Sequence, residues 1–208
     1  MREAVVLIHG IWMTGVELLL LRHRLGRCGY PARLFHYHSL LATPEAAAVR
    51  LNGYLQGVDA DVVHLIAHSY GGIVLLHLFD RFPMQRPGRV VMLATPIRGS
   101  SVAGRLYQNV LTRPLIGRAA ERGLLGDGPR WRGARDLGMI AGNKGIGLGA
   151  LVTGALGNPH DGTISVTETR SPEITMHLTV PYSHFGMLFA SPVAQAVCRF
   201  LDTGDFQT

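Results

Sequence analysis

Lysine is almost missing from this 208-residue chain: Lys144 stands alone among 20 lysine and arginine residues. Cysteine is scarce too, with only Cys28 and Cys198, and charged side chains make up just 16% of the chain. Each shortage excludes something. Two cysteines supply neither a disulfide framework nor a metal-ligand spacing, and both read as packing residues near helix ends. The ten histidines fall in no metal-ligand spacing either, so neither a metal nor a cofactor is expected. No apolar run reaches membrane-spanning length; Val16 to Leu21 is too short and gives way to Arg22-His23-Arg24. The glycine-rich stretch 142–157 lacks the Gly-Lys-Ser/Thr ending of a phosphate-binding loop. Met1-Arg2-Glu3 runs straight into Val5-Val6-Leu7-Ile8, with no room for the two regions of a signal peptide. A cytoplasmic protein is therefore the default expectation, although a secreted form with its leader removed would read the same.

The basic excess has a plain reading. Formal net charge is +6 and the pI is near 9.9. No basic stripe interleaved with aromatics accompanies it, so no nucleic-acid partner is expected. Attraction to anionic lipid surfaces or acidic substrates is an alternative, but scattered solvated arginines account for the charge most simply. Nothing in the sequence points to a particular oligomeric state.

What is abundant is apolar residues, at 47%, and glycine, at 26 residues. Their arrangement fits one compact α/β domain over 1–208. Strand signals at Val5–His9, Arg33–Tyr37, 61–67, Arg89–Ala94, Gly138–Gly142 and Ile174–Val180 alternate with helix signals. The helices are expected at Val16–Cys28, Pro44–Gln56, 70–81 and Pro192–Leu201. Thr43 as cap, Pro44 at the first position and Glu45 in the first turn mark the second helix sharply. Such alternation predicts a mainly parallel sheet of about six strands with helices on both faces. Residues 97–137 break the rhythm, with eight arginines against Glu121, Asp127 and Asp136. This segment reads as a small cap near the site or a helical excursion packed on the sheet edge. Contact between it and a lipid surface is the less favoured reading.

Chemistry concentrates in Ala67-His68-Ser69-Tyr70-Gly71-Gly72, between a β-branched apolar strand and a helix. A serine on so sharp a turn has its hydroxyl exposed at the strand's C-terminal end, as in Gly-x-Ser-x-Gly elbows, with alanine replacing the first glycine. The bland alternative is a serine that merely caps the helix. A serine nucleophile needs a base, an orienting acid and two amide donors. His184, after the last strand, is the candidate base, and Asp161, in the Asn158–Thr163 loop, the candidate acid. By itself Asp161-Gly162 would read as a surface turn, but the chain order Ser69, Asp161, His184 raises its standing. Ile11 N–H and Tyr70 N–H are the candidate oxyanion donors, with the Trp12 amide in reserve. His9 is read as shaping its loop, His68 as packing within the elbow, and Glu168 as the reserve acid ahead of Asp136. His64, His160 and His177 are poorly placed for the base role.

Across nearly its whole length the chain resembles the α/β-hydrolase superfamily, through His9-Gly10, the 67–72 elbow, Thr95–Ser100, Asp161-Gly162-Thr163 and Ser183-His184. It looks like the small lipase- and esterase-like members. The resemblance implies hydrolysis of small-molecule or lipid carboxylic esters through an acyl-enzyme on Ser69. It also implies a minimal fold without the two leading antiparallel strands, and an acyl pocket lined by the Pro96 loop. Trp12, Phe185 and Leu188 are further candidates for that pocket. The fold does not choose the bond, so thioester, lactone or amide hydrolysis and a non-catalytic binding protein stay as alternatives.

Overall fold

The computed structural model describes residues 1–146 and 156–207. Most of the glycine-rich stretch singled out above, residues 147–155, lies outside them. Six strands form one sheet: β1 (Glu3–Ile8), β2 (Ala32–Phe35), β3 (Val62–His68), β4 (Val90–Leu93), β5 (Leu137–Gly142) and β6 (Met176–Val180). Their order is β2-β1-β3-β4-β5-β6, and every neighbouring pair is parallel.

Side-chain alternation explains why this sheet needs cover on both faces. In β1, Ala4, Val6 and Ile8 point into one apolar layer, while Val5 and Leu7 point into the other. Helices α2 (Pro44–Gln56) and α3 (Tyr70–Arg81) fill the first layer, through Leu51, Leu55, Val74 and Leu78 among others. Helices α1 (Leu19–Arg27) and α5 (Ser191–Thr203) fill the second, through Leu21, Leu25, Val197 and Phe200. Strands buried on both faces read as continuous apolar runs. β4 does so throughout, β1 does so after Glu3, and β3 does so apart from His64 and His68.

Local signals set the ends of these elements. Thr43 Oγ1 accepts the Ala46 N–H at 3.1 Å, and Pro44 opens α2 at the expected residue. The first helix begins later than expected, because Gly15 turns the chain with φ 95° and Val16–Leu18 forms a 3₁₀ turn before α1. The weakest strand signal belongs to β5, yet all six of its residues are buried. A Cβ on Gly138 would stand 2.7 Å from Phe206 and 2.9 Å from Phe200, so its glycine makes room for two stacked rings.

The cysteines correct the sequence reading. Cys28, capping the C-terminal end of α1, and Cys198, inside α5, form a disulfide across 170 residues, with Cα atoms 6.4 Å apart. Such bonds persist in oxidising compartments and are rare in the reducing cytosol, which weighs against the cytoplasmic expectation. No helix among the described residues is long and apolar enough to cross a membrane. Cys28→Ser is expected to lower unfolding free energy by about 2–4 kcal/mol in non-reducing urea titrations. An unchanged midpoint would show that the bond does not form.

Segment 97–137 carries helix α4 (Ser101–Gln108) and 3₁₀ turns at Arg113–Leu115 and Gly117–Ala120. Its apolar side chains Val102, Ala103, Leu106, Ile116 and Leu124 join the layer of α2 and α3. The chain winds from β1 outward to β2, then returns to β3 on the opposite side of β1. Such a reversal opens a crevice at the strands' C-terminal ends, here just beyond Ile8 and His68.

Candidate functional site

β3 ends at His68 and α3 begins at Tyr70, which leaves Ser69 alone on the turn with φ 54° and ψ −122°. Such a backbone costs on the order of 1–3 kcal/mol and persists only where the surroundings impose it. The surroundings do. Thr95 Oγ1, fully buried in the loop after β4, donates to the Ser69 carbonyl at 2.9 Å. The Ser69 side chain makes no capping hydrogen bond, so the bland reading of a mere helix cap fails. Close packing of α3 on β1 fixes the turn from the other side: a Cβ on Gly71 would lie 2.7 Å from the carbonyl oxygens of both Ile8 and His9. Ile8 is paired on both edges of β1 and the His9 carbonyl accepts the Tyr37 hydroxyl, so neither carbonyl can retreat. Gly71→Ala is expected to cost about 3 kcal/mol of stability in urea unfolding, and an unaltered midpoint would mean that α3 can slide off β1.

The second element of the site is a buried pair. His184 Nδ1 donates to Asp161 Oδ2 at 2.7 Å, and the two residues are 4% and 1% exposed. Asp161 sits in the turn the sequence suggested, but that turn faces inward. Its other oxygen, Oδ1, accepts the N–H groups of Thr163 at 2.9 Å and Ile164 at 2.7 Å. Gly162, at φ +97°, lets the chain curl around the carboxylate. His184 N–H also donates to the Asp161 carbonyl at 2.9 Å, so backbone and side chain both tie the two loops. With Nδ1 committed as donor, the neutral ring presents Nε2 as an acceptor.

Two backbone amides lie beyond matching positions of β1 and β3. Ile8 and Ala67 stand level in adjacent strands, and three residues further along each chain come Ile11 and Tyr70. Neither N–H donates to any other group among the described residues, and Tyr70, as the first residue of α3, has no partner within its helix. The Trp12 amide, held in reserve by the sequence, is occupied: it donates to Ser39 Oγ at 3.2 Å.

Ser69 and His184 open onto one cavity of about 420 Å³, as do Ile11, Trp12 and Met13 from the loop after β1. Val102, Ala103 and Leu106 of α4 form one wall, and Leu115, Ile116 and Leu124 extend it. Thr163, Ile164 and Phe185 form the side nearest His184, and Ile146 also faces the cavity. Ser69 Oγ makes no hydrogen bond to His184 among the described residues. Such contacts are often long in the absence of substrate and tighten when it binds.

Two expected pocket residues do not reach the cavity. Leu188 is fully buried in the layer of α1 and α5, because the 3₁₀ turn Gly186–Phe189 directs it to the opposite face of the sheet. Pro96 is also absent from the lining: its carbonyl accepts the Gly99 N–H at 2.9 Å in a turn leading to α4, whose side chains take the place expected for it. Trp12 and Phe185 do line the cavity, each about half exposed at 51% and 49%. The Trp12 indole N–H donates to the Leu115 carbonyl at 2.7 Å, joining the loop after β1 to the 97–137 segment.

The supporting histidines are structural in distinct ways. His68 Nε2 meets the His184 carbonyl at 3.1 Å, which puts its proton on Nε2, and its ring lies 4.7 Å from that of His184. Burial, followed by the neighbouring His184, holds its pKa well below the usual value, so it stays neutral beside the pair. His160 Nδ1 accepts the Gly162 N–H at 3.1 Å and shapes the acid turn. His9 stacks on Tyr37 at 4.4 Å, and the Tyr37 hydroxyl donates to the His9 carbonyl. Thr95 and Ser39 carried no sequence signal of these roles, since each acts on backbone 26 or 27 residues away. No group of three or more His, Cys, Asp or Glu residues suited to a metal exists among the described residues.

No curated protein sequence matches the chain. Among solved structures, a lipase from Bacillus licheniformis in its mature form superposes with a TM-score of 0.75 at 19% identity, covering 98% of this chain and 92% of that one. A phospholipase from Legionella pneumophila gives a TM-score of 0.67 at 15% identity, covering all of this chain but 60% of its own length. A metagenomic carboxyl esterase gives 0.61 at 18% identity, covering 88% of this chain and 64% of that one. At these identities the likeness is one of fold. Residues 5–195 match the Alpha/beta hydrolase family, and with that span the chain belongs to it.

Proposed function

We propose that the protein is a serine hydrolase of carboxylic esters. The observation that carries this reading is the buried 2.7 Å contact between His184 Nδ1 and Asp161 Oδ2, in a wall of the cavity onto which Ser69 opens from its strained turn. His184 Nε2 takes the Ser69 hydroxyl proton as Oγ attacks the acyl carbonyl. Asp161 holds the tautomer that makes this transfer productive and stabilises the imidazolium that results. The Ile11 and Tyr70 amides receive the negative charge of the tetrahedral intermediate, at about 3–4 kcal/mol per donor. The positive end of α3 adds to that stabilisation. His184 then returns the proton to the leaving alcohol, and the acyl group remains on Ser69. In the second half-reaction His184 activates water, which releases the acid and restores the serine.

The cavity favours an uncharged acyl group, since no Lys, Arg, Asp or Glu is among its described lining residues. Each buried methylene of such a group contributes about 0.8 kcal/mol. The test is a series of p-nitrophenyl esters from acetate to palmitate, run beside a matched thioester. Turnover that rises with chain length up to an optimum supports the reading. Folded protein that hydrolyses no ester overturns it, and turnover of the thioester alone moves the assignment to another acyl bond.

A further inference from the structure

Glu168, the sequence's reserve acid, has its carboxylate committed elsewhere. Oε1 accepts the N–H of Ser101, the first residue of α4, at 2.6 Å. Oε2 accepts the Ser165 N–H at 2.7 Å and the Ser165 hydroxyl at 3.0 Å. The Glu168 carbonyl also accepts the Arg98 N–H at 3.3 Å, on the segment leading into α4. A carboxylate at a helix start is favoured by the helix dipole, and hydrogen bonds to a charged acceptor are roughly twice as strong as neutral ones.

The two ends of this tie matter because of what they carry. From α4, Val102, Ala103 and Leu106 form one wall of the cavity. Ser165 pairs with His160 across the base of the acid turn, within which Asp161 N–H donates to the Ile164 carbonyl at 3.0 Å. Thr163 and Ile164, from that same turn, also line the cavity. One side chain therefore spans the wall beside Asp161 and the wall built by α4. We propose that Glu168 is a positioning residue that sets the spacing of these walls and thereby the fit of longer acyl chains. This rests on the esterase reading above.

The test compares kcat and KM of the wild type, Glu168→Gln and Ser101→Pro on p-nitrophenyl butyrate and octanoate. Active enzyme is counted in each sample by titration with a fluorophosphonate. A glutamine still accepts one N–H but turns its NH₂ toward the other, so one arm of the tie is lost. KM for the octanoate is expected to rise roughly three- to tenfold, the net effect of one ordinary hydrogen bond, while KM for the butyrate moves by less than about twofold. Ser101→Pro removes only the α4 arm. Proline suits the first helical position, and Ser100 before it is already extended, at φ −113° and ψ 121°. It should reproduce the octanoate effect with kcat unaltered. A merely structural role would lower the titratable fraction and leave both KM values alone. That outcome, or KM changes equal for the two esters, overturns the proposal. A wild type that neither hydrolyses ester nor takes up phosphonate overturns the esterase reading and the proposal together.

Discussion

Ser69→Ala is expected to abolish ester hydrolysis, with kcat lower by about 10⁶-fold, as for removal of a nucleophile from comparable triads. Its stability should stay within about 1 kcal/mol of the wild type. The two halves of this prediction come from one observation. The Ser69 side chain caps nothing, and it is held by its backbone, through the Thr95 hydroxyl on its carbonyl and its own N–H on the Leu93 carbonyl at 2.8 Å. Removing Oγ therefore removes chemistry without removing support. Rates with p-nitrophenyl butyrate and thermal melting of the same sample check both halves. Residual turnover within about tenfold of the wild type would show that another group performs the attack.

Asp161→Asn is expected to lower kcat by about 10⁴-fold, with KM little changed. The side chain keeps its shape, and its oxygen can still accept the Thr163 and Ile164 amides that hold the turn. Its NH₂ group would then face His184 Nδ1, where the carboxylate now accepts. Two donors cannot share that contact, so the ring would shift its proton to Nε2 and lose the acceptor needed for the serine proton. The imidazolium would also lose its counter-charge. If the Asp161→Asn enzyme retained most of its turnover, the orienting acid would have to be sought elsewhere. Glu168 is a poor substitute, since its carboxylate is already bound to Ser101 and Ser165.

How far the sequence anticipates this arrangement depends on the range of the interactions involved. Local signals are reliable: Thr43, Pro44 and Glu45 mark the start of α2, and α3 follows the elbow at the expected residues. The parallel order of strands follows from their alternation with helices, and it brings Gly10, Ser69 and His184 to one end of the sheet. Pairwise facts over long separations are another matter. Two cysteines 170 residues apart give no local sign of bonding, and their disulfide depends on α1 and α5 sharing one face of the sheet. Phe185 and Leu188 look equivalent as apolar neighbours of His184, yet one 3₁₀ turn sends Leu188 to the opposite side. Residues 97–137 read as lying near the site, but which of them would line the cavity is not legible, because the eight residues of α4 take their place from the shared apolar layer and from Glu168.

The mechanism turns on Ser69 acting as a nucleophile activated by His184. Its most direct test is mass spectrometry of the folded protein after exposure to a fluorophosphonate, with the adduct mapped by peptide digestion. One adduct is expected on the peptide containing Ser69, absent from Ser69→Ala and formed far more slowly in Asp161→Asn. A folded wild-type protein that stays unlabelled, or carries its adduct on another residue, would contradict it.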